Sequence, residues 1–210
     1  MVQKVKSVLW RYFLIVNDVE TKQKKQKKFP IFGSLQGLCF ASILTAMSLI
    51  LGKFLQIPNP FQEFIRISFE NLPIFIAGFT LGPVAGALVG IVADLIGCIA
   101  YGYTINPIIT VGAAAVGAIS GFFANYVIRK PLILKTVISV SLAHVIGSVL
   151  IKSAGLAAWY LSKYEIGFLE FVLWRLLNYT IIATAECVII YLLFKNKAFS
   201  KQAERMCRRK

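Results

Sequence analysis

The chain has 210 residues, of which 58% are hydrophobic, with a mean hydropathy of +0.73 and a formal net charge of +14. That hydrophobic share lies above the roughly 45–50% of soluble domains, which excludes an ordinary soluble enzyme or binding module; six membrane spans of about 20 residues each would use most of the length. The charge is gathered in a few places instead of spread over a face, which argues against a nucleic-acid partner.

Residues 1–32 read as a basic cytoplasmic segment. Within it, 8-VLWRYFLIV-16 brings Trp10, Tyr12 and Phe13 together around Arg11, a pattern suited to a short helix lying on the membrane surface. It lacks the small-residue cleavage site of a secretory signal. The polar stretch 20-ETKQKKQKK-28 follows.

The region 33–195 reads as an all-α, integral membrane bundle of six helices, with runs at about 33–52, 68–82, 83–101, 106–128, 135–160 and 170–194. Pro83, just after Gly82, stands where a helix can begin. A basic cytoplasmic tail, 196–210, closes the chain. Eighteen of the 23 Lys and Arg residues fall before Phe29, in 129-RKPLILK-135 or after Phe194. With six spans all three groups share one side, so the positive-inside rule places both termini in the cytoplasm and the protein in the cell membrane. The basic tail is also suited to anionic lipid.

Small residues recur every four positions: Gly33, Gly37, Ala41 and Thr45 on the first run, with Ser42 and Ala46 beside them; Gly82, Gly86 and Gly90 ahead of Asp94 on the third; Ala113, Gly117 and Gly121 on the fourth. Such stripes let helix backbones approach closely. Internal packing is the expectation for the third and fourth runs. For the first, a surface for a partner protein is an equal alternative. Cys39, Cys98, Cys187 and Cys207 show no metal or disulfide spacing, so neither a metal nor a cofactor is expected.

Ionisable residues at membrane depth make function the default reading. Arg66, Glu70 and Asn71 stand at the outer entrance of the second run, and Asp94 lies in the outer half of the third, below Tyr101, Tyr103 and Asn106. On the fifth run His144, Ser148 and Lys152 are spaced to share a face. Trp159 follows them, and Arg175, Asn178 and Tyr179 occupy the outer half of the sixth. Each has a bland alternative: Asp94 as a hydrogen-bond acceptor, His144 as a core histidine, Lys152 and Arg175 snorkelling to the interface. Glu186, deeper in the sixth run, reads as a pairing group. Taken together they describe a site with cations near its mouth, hydrogen-bonding groups beneath, and Phe69, Trp174 and the tyrosines for stacking. It suits an elongated ligand with a flat heteroaromatic head and an anionic tail.

The stretch 68-SFENLPIFIAGFTLGPVAGALVGIVADLIGCIAYGYTINPIITVGAA-114 resembles the substrate-binding S component of energy-coupling factor (ECF) vitamin transporters, of the folate (FolT) type. The resemblance implies capture of folate or reduced folates from outside. It further implies delivery by toppling in the lipid bilayer, when the chain is engaged by a transmembrane T subunit carrying two ATPase subunits. Loops 53–67 and 101–105 would gate the site. An alanine-x-x-x-alanine pattern on the first helix would meet the T subunit; this chain departs from it, offering Ala41 with Thr45 or Ser42 with Ala46. The sequence contains no phosphate-loop motif, so ATP hydrolysis belongs to partners and the chain itself is not an enzyme. The rival readings are an S component for a different vitamin, a proton-coupled secondary transporter of a small organic anion, and a membrane enzyme with Asp94 and His144 as acid and base.

Overall fold

The computed structural model describes residues 35–54, 56–58, 66–128, 131–157 and 167–207. The N-terminal segment 1–32, with its expected surface helix, lies outside them. Helix α1 is Leu35–Phe54; a short antiparallel hairpin follows, β1 (Ile57–Pro58) paired with β2 (Arg66–Ile67). Then come α2 (Asn71–Leu81), α3 (Pro83–Tyr101), α4 (Pro107–Val127), α5 (Leu132–Ala157), α6 (Phe168–Lys195) and α7 (Lys197–Cys207). The architecture is an all-α membrane bundle. Among the described residues five helices, α1 and α3 to α6, are long and apolar enough to cross a membrane.

The second expected span is different in kind. Its helix has only 11 residues, about 16 Å at 1.5 Å per residue, roughly half the hydrocarbon thickness of about 30 Å. Every residue of α2 is buried, so it forms the centre of the bundle instead of a lipid-facing wall. The link Ser68–Glu70 therefore runs into the interior as irregular backbone, which protein burial makes tolerable at that depth. Ser48 on α1 receives it, donating from Oγ to the Glu70 carbonyl at 2.6 Å.

Small residues set the tightest packing. A methyl group added at Gly86 of α3 would stand 2.6 Å from the Gly117 carbonyl oxygen of α4, and one at Gly78 of α2 would stand 2.9 Å from that same atom. Three backbones thus meet where no side chain fits. The outward faces of the same helices carry Val84, Leu88, Val92 and Ile96 on α3, which meet acyl chains without loss since lipid is as apolar as they are. The turn between α2 and α3 needs Gly82 at φ 97°, a left-handed conformation costly for other residues, with Pro83 opening the next helix.

Two helices depart from regular winding. The last turn of α4, Phe123–Val127, and the middle of α5, His144–Ile151, are π-helical, a local widening that recurs at functional positions. The expected tail 196–210 folds in part: Asn196 accepts the Ala198 N–H at 2.9 Å and α7 begins. Its Phe199 packs edge-on to Phe194, which lies against Phe79 of α2, and Ala203 is buried. This helix closes the end of the bundle at the C-terminus of α2.

Candidate functional site

Polar side chains of α5 and α6 meet inside the bundle. His144, Ser148 and Lys152 share a buried face of α5. The His144 Nε2 atom lies 2.5 Å from Glu186 Oε2 of α6, and Nδ1 lies 3.3 Å from Ser148 Oγ. From α6, Arg175 donates to the Ser148 carbonyl at 2.9 Å and to Tyr179 Oη at 3.5 Å. Its guanidinium lies over the rings of Phe171 and Tyr179, where cation–π attraction orients it. The Tyr179 ring is 5.1 Å from that of His144, and Phe75 of α2 meets the imidazole edge-on at 5.0 Å.

One turn further along α5, the Lys152 ammonium lies 3.1 Å from Glu70 Oε1. Room for the lysine stem comes from α4, where a methyl group on Gly112 would stand 2.6 Å from Lys152 Cγ. Several buried polar atoms here have no hydrogen-bond partner among the described residues: Asn71 Oδ1, Ser153 Oγ, Arg175 Nε and Glu186 Oε1. Natural proteins leave few such atoms. A cluster holding this many is one in which a bound molecule or water has donors and acceptors waiting.

The remaining expected residues stand around this centre in other roles. Asp94 of α3 accepts the Thr110 hydroxyl at 2.6 Å, so α4 supplies its partner. Asn106 caps α4 through the Ile108 N–H and donates to the Gly155 carbonyl of α5 at 2.8 Å. Tyr101 donates to the Leu49 carbonyl of α1 at 2.6 Å, under the Lys53 ammonium. Its neighbour Tyr103 is 52% exposed, with its ring near that of Tyr101. Asn178 is buried on the inward face of α6. Arg66 lies in β2, opposite Pro58, and Trp159 lies outside the described residues. Trp174 is turned away from the centre: with Gly167, Leu169, Glu170, Leu173 and Leu177 it lines an outward cleft of about 420 Å³.

Of the four residues expected to meet a partner, Ala41 and Thr45 are buried against the bundle, whereas Ser42 and Ala46 are exposed. Ser48, Thr110 and Ser153 were missed as site neighbours. Ser48, three residues beyond Thr45, shares the inward face marked by the Gly37, Ala41, Thr45 stripe, but nothing in sequence pairs it with Glu70; Thr110 and Ser153 carry no signal in sequence. No grouping of His, Cys, Asp and Glu among the described residues has the arrangement of a metal site.

The family described as ECF-type riboflavin transporter, S component, matches residues 33–197. A search of curated proteins found no match. Among solved structures, the fold is similar to that in the crystal structure of FolT bound with folic acid. The TM-score is 0.60 and the identity 22%, over 76% of this chain and 93% of that one.

Proposed function

The chain belongs to the S-component family of ECF-type riboflavin transporters, and from that premise we propose that it captures folate at the extracellular face and carries it across the cell membrane. A T subunit and two ATPase subunits would energise the cycle. The family is one of transport components, not of enzymes, and the chain is a multi-pass membrane protein.

The observation that carries the ligand is the pair of inward cations, Lys152 and Arg175, held among unpaired hydrogen-bonding atoms. Two cations in a protein interior are costly unless anions meet them. Folate brings carboxylates at one end and a pterin ring, rich in donors and acceptors, at the other. In this reading Arg175 and Lys152 take the carboxylates, and charge-assisted hydrogen bonds supply strength. The ring stacks near Tyr179 and His144 while Asn71, Asn178 or Asp94 reads its edge. Tyr101, Tyr103, Asn106 and Glu70 border the entrance. The similar fold of a protein bound with folic acid supports the same choice.

Riboflavin is the second reading, favoured by the description of the matched family. It is a flat ligand without a carboxylate and would leave the two cations without a ligand anion. Titration of the detergent-purified chain with folate, riboflavin, thiamine and biotin separates these readings. Tight binding of folate alone is the expected result; tight binding of riboflavin with none of folate would replace the proposal.

A further inference from the structure

The two members of the Lys152–Glu70 pair are held very differently. Lys152 is 6% exposed, its stem threaded past Gly112. Glu70 has its backbone fixed by Ser48, but its side chain is 37% exposed and makes no capping bond to the helix it precedes. One partner is almost fully enclosed; the other, which runs past Gly52 of α1, keeps more than a third of its side chain open.

Resting on the proposed capture of a carboxylate-bearing vitamin, we propose that Glu70 is the counter-ion of Lys152 only while the site is empty, and that a carboxylate of the ligand displaces it. Removing one member of a buried ion pair leaves an uncompensated charge, which is strongly destabilising, so Lys152 needs an anion in both states. The other inward carboxylates are engaged elsewhere, Asp94 with Thr110 and Glu186 with His144. Exchange therefore falls to Glu70, which reaches water by rotation while its backbone stays put. A neutral ligand has nothing with which to replace it. The pair thus discriminates by charge: it admits an anionic tail into a place already shaped and polarised for a carboxylate.

The test uses the full purified chain and three probes: folic acid, 6-hydroxymethylpterin, which has the ring but no carboxylate, and riboflavin. Glu70→Gln removes the internal competitor and should tighten folic acid about tenfold, equivalent to roughly 1.4 kcal/mol, while 6-hydroxymethylpterin stays unchanged. Weaker folic acid binding, or an equal shift for both probes, overturns the exchange. Should Glu70→Gln fail to fold, the double variant Glu70→Gln with Lys152→Gln restores neutrality. Exchange predicts that this variant loses most of the advantage of folic acid over 6-hydroxymethylpterin, and a fully retained advantage overturns it. Wild-type protein that binds riboflavin but not folic acid, or none of the three, removes the underlying function together with the exchange. Wild-type binding of folic acid with a weakened Glu70→Gln removes the exchange alone.

Discussion

At the scale of the residue, His144 and Glu186 form the deepest polar contact, with the carboxylate side chain fully buried. Such a pair ties α5 to α6 and holds the imidazole that Phe75 and Tyr179 border. Replacing His144 with Phe leaves the carboxyl group facing apolar surroundings, a loss of about 3–5 kcal/mol if it stays charged. Glu186→Gln keeps an acceptor opposite the ring and should cost only about 1 kcal/mol. Thermal unfolding of the purified variants in detergent should therefore rank His144→Phe well below Glu186→Gln; equal melting temperatures would show that the pair contributes little. Sequence spacing had already put His144, Ser148 and Lys152 on one face, because they belong to one helix. It had no means of finding Thr110 for Asp94 or Ser48 for Glu70, since those partners come from other elements.

At the scale of the element, the two faces of α1 separate jobs that its sequence mixes. Ala41 faces the bundle and Ala46 faces outward. Ala41→Leu should lower stability by about 1–3 kcal/mol through overpacking, read by thermal unfolding. Ala46→Leu should leave folding and folate affinity intact yet reduce co-purification with the T and ATPase subunits. If Ala46→Leu assembles normally, the outward face of α1 is not the contact. Helix α7 invites a second cut. Truncation after Asn196 removes Phe199 and bares Phe194 and Phe79; burying one such ring is worth about 1.5–3 kcal/mol. The truncated chain should melt earlier and bind folate as before, because α7 lies at the opposite end from Lys152 and Arg175. The helix was hidden in the sequence by its basic composition, although Phe199 and Ala203 already mark its docking face.

At the scale of the whole molecule, the proposed function separates capture from energy. The polar cluster lies inside a bundle whose outward surfaces are apolar, and under the proposed function the bundle itself would be reoriented to move a ligand across. Reconstituted alone, the chain should bind folate without accumulating it, and collapsing a proton gradient should change nothing. With T and ATPase subunits present, accumulation should follow ATP. Accumulation by the chain alone that collapses with the proton gradient would instead make it a secondary transporter.

Membrane class and helix order followed from the sequence by itself, because hydropathy over 20-residue windows is a local property that lipid reads directly. The internal use of the Gly86, Gly90 and Gly117 stripes was legible for the same reason, as small residues at helical spacing on neighbouring runs. Only the tertiary structure decided that α2 is a half-length helix buried at the centre, that Ala41 turns inward while Ala46 does not, and that Glu70 holds Lys152. Those facts depend on which helices become neighbours, and the side chains that meet there lie as many as 82 residues apart along the chain.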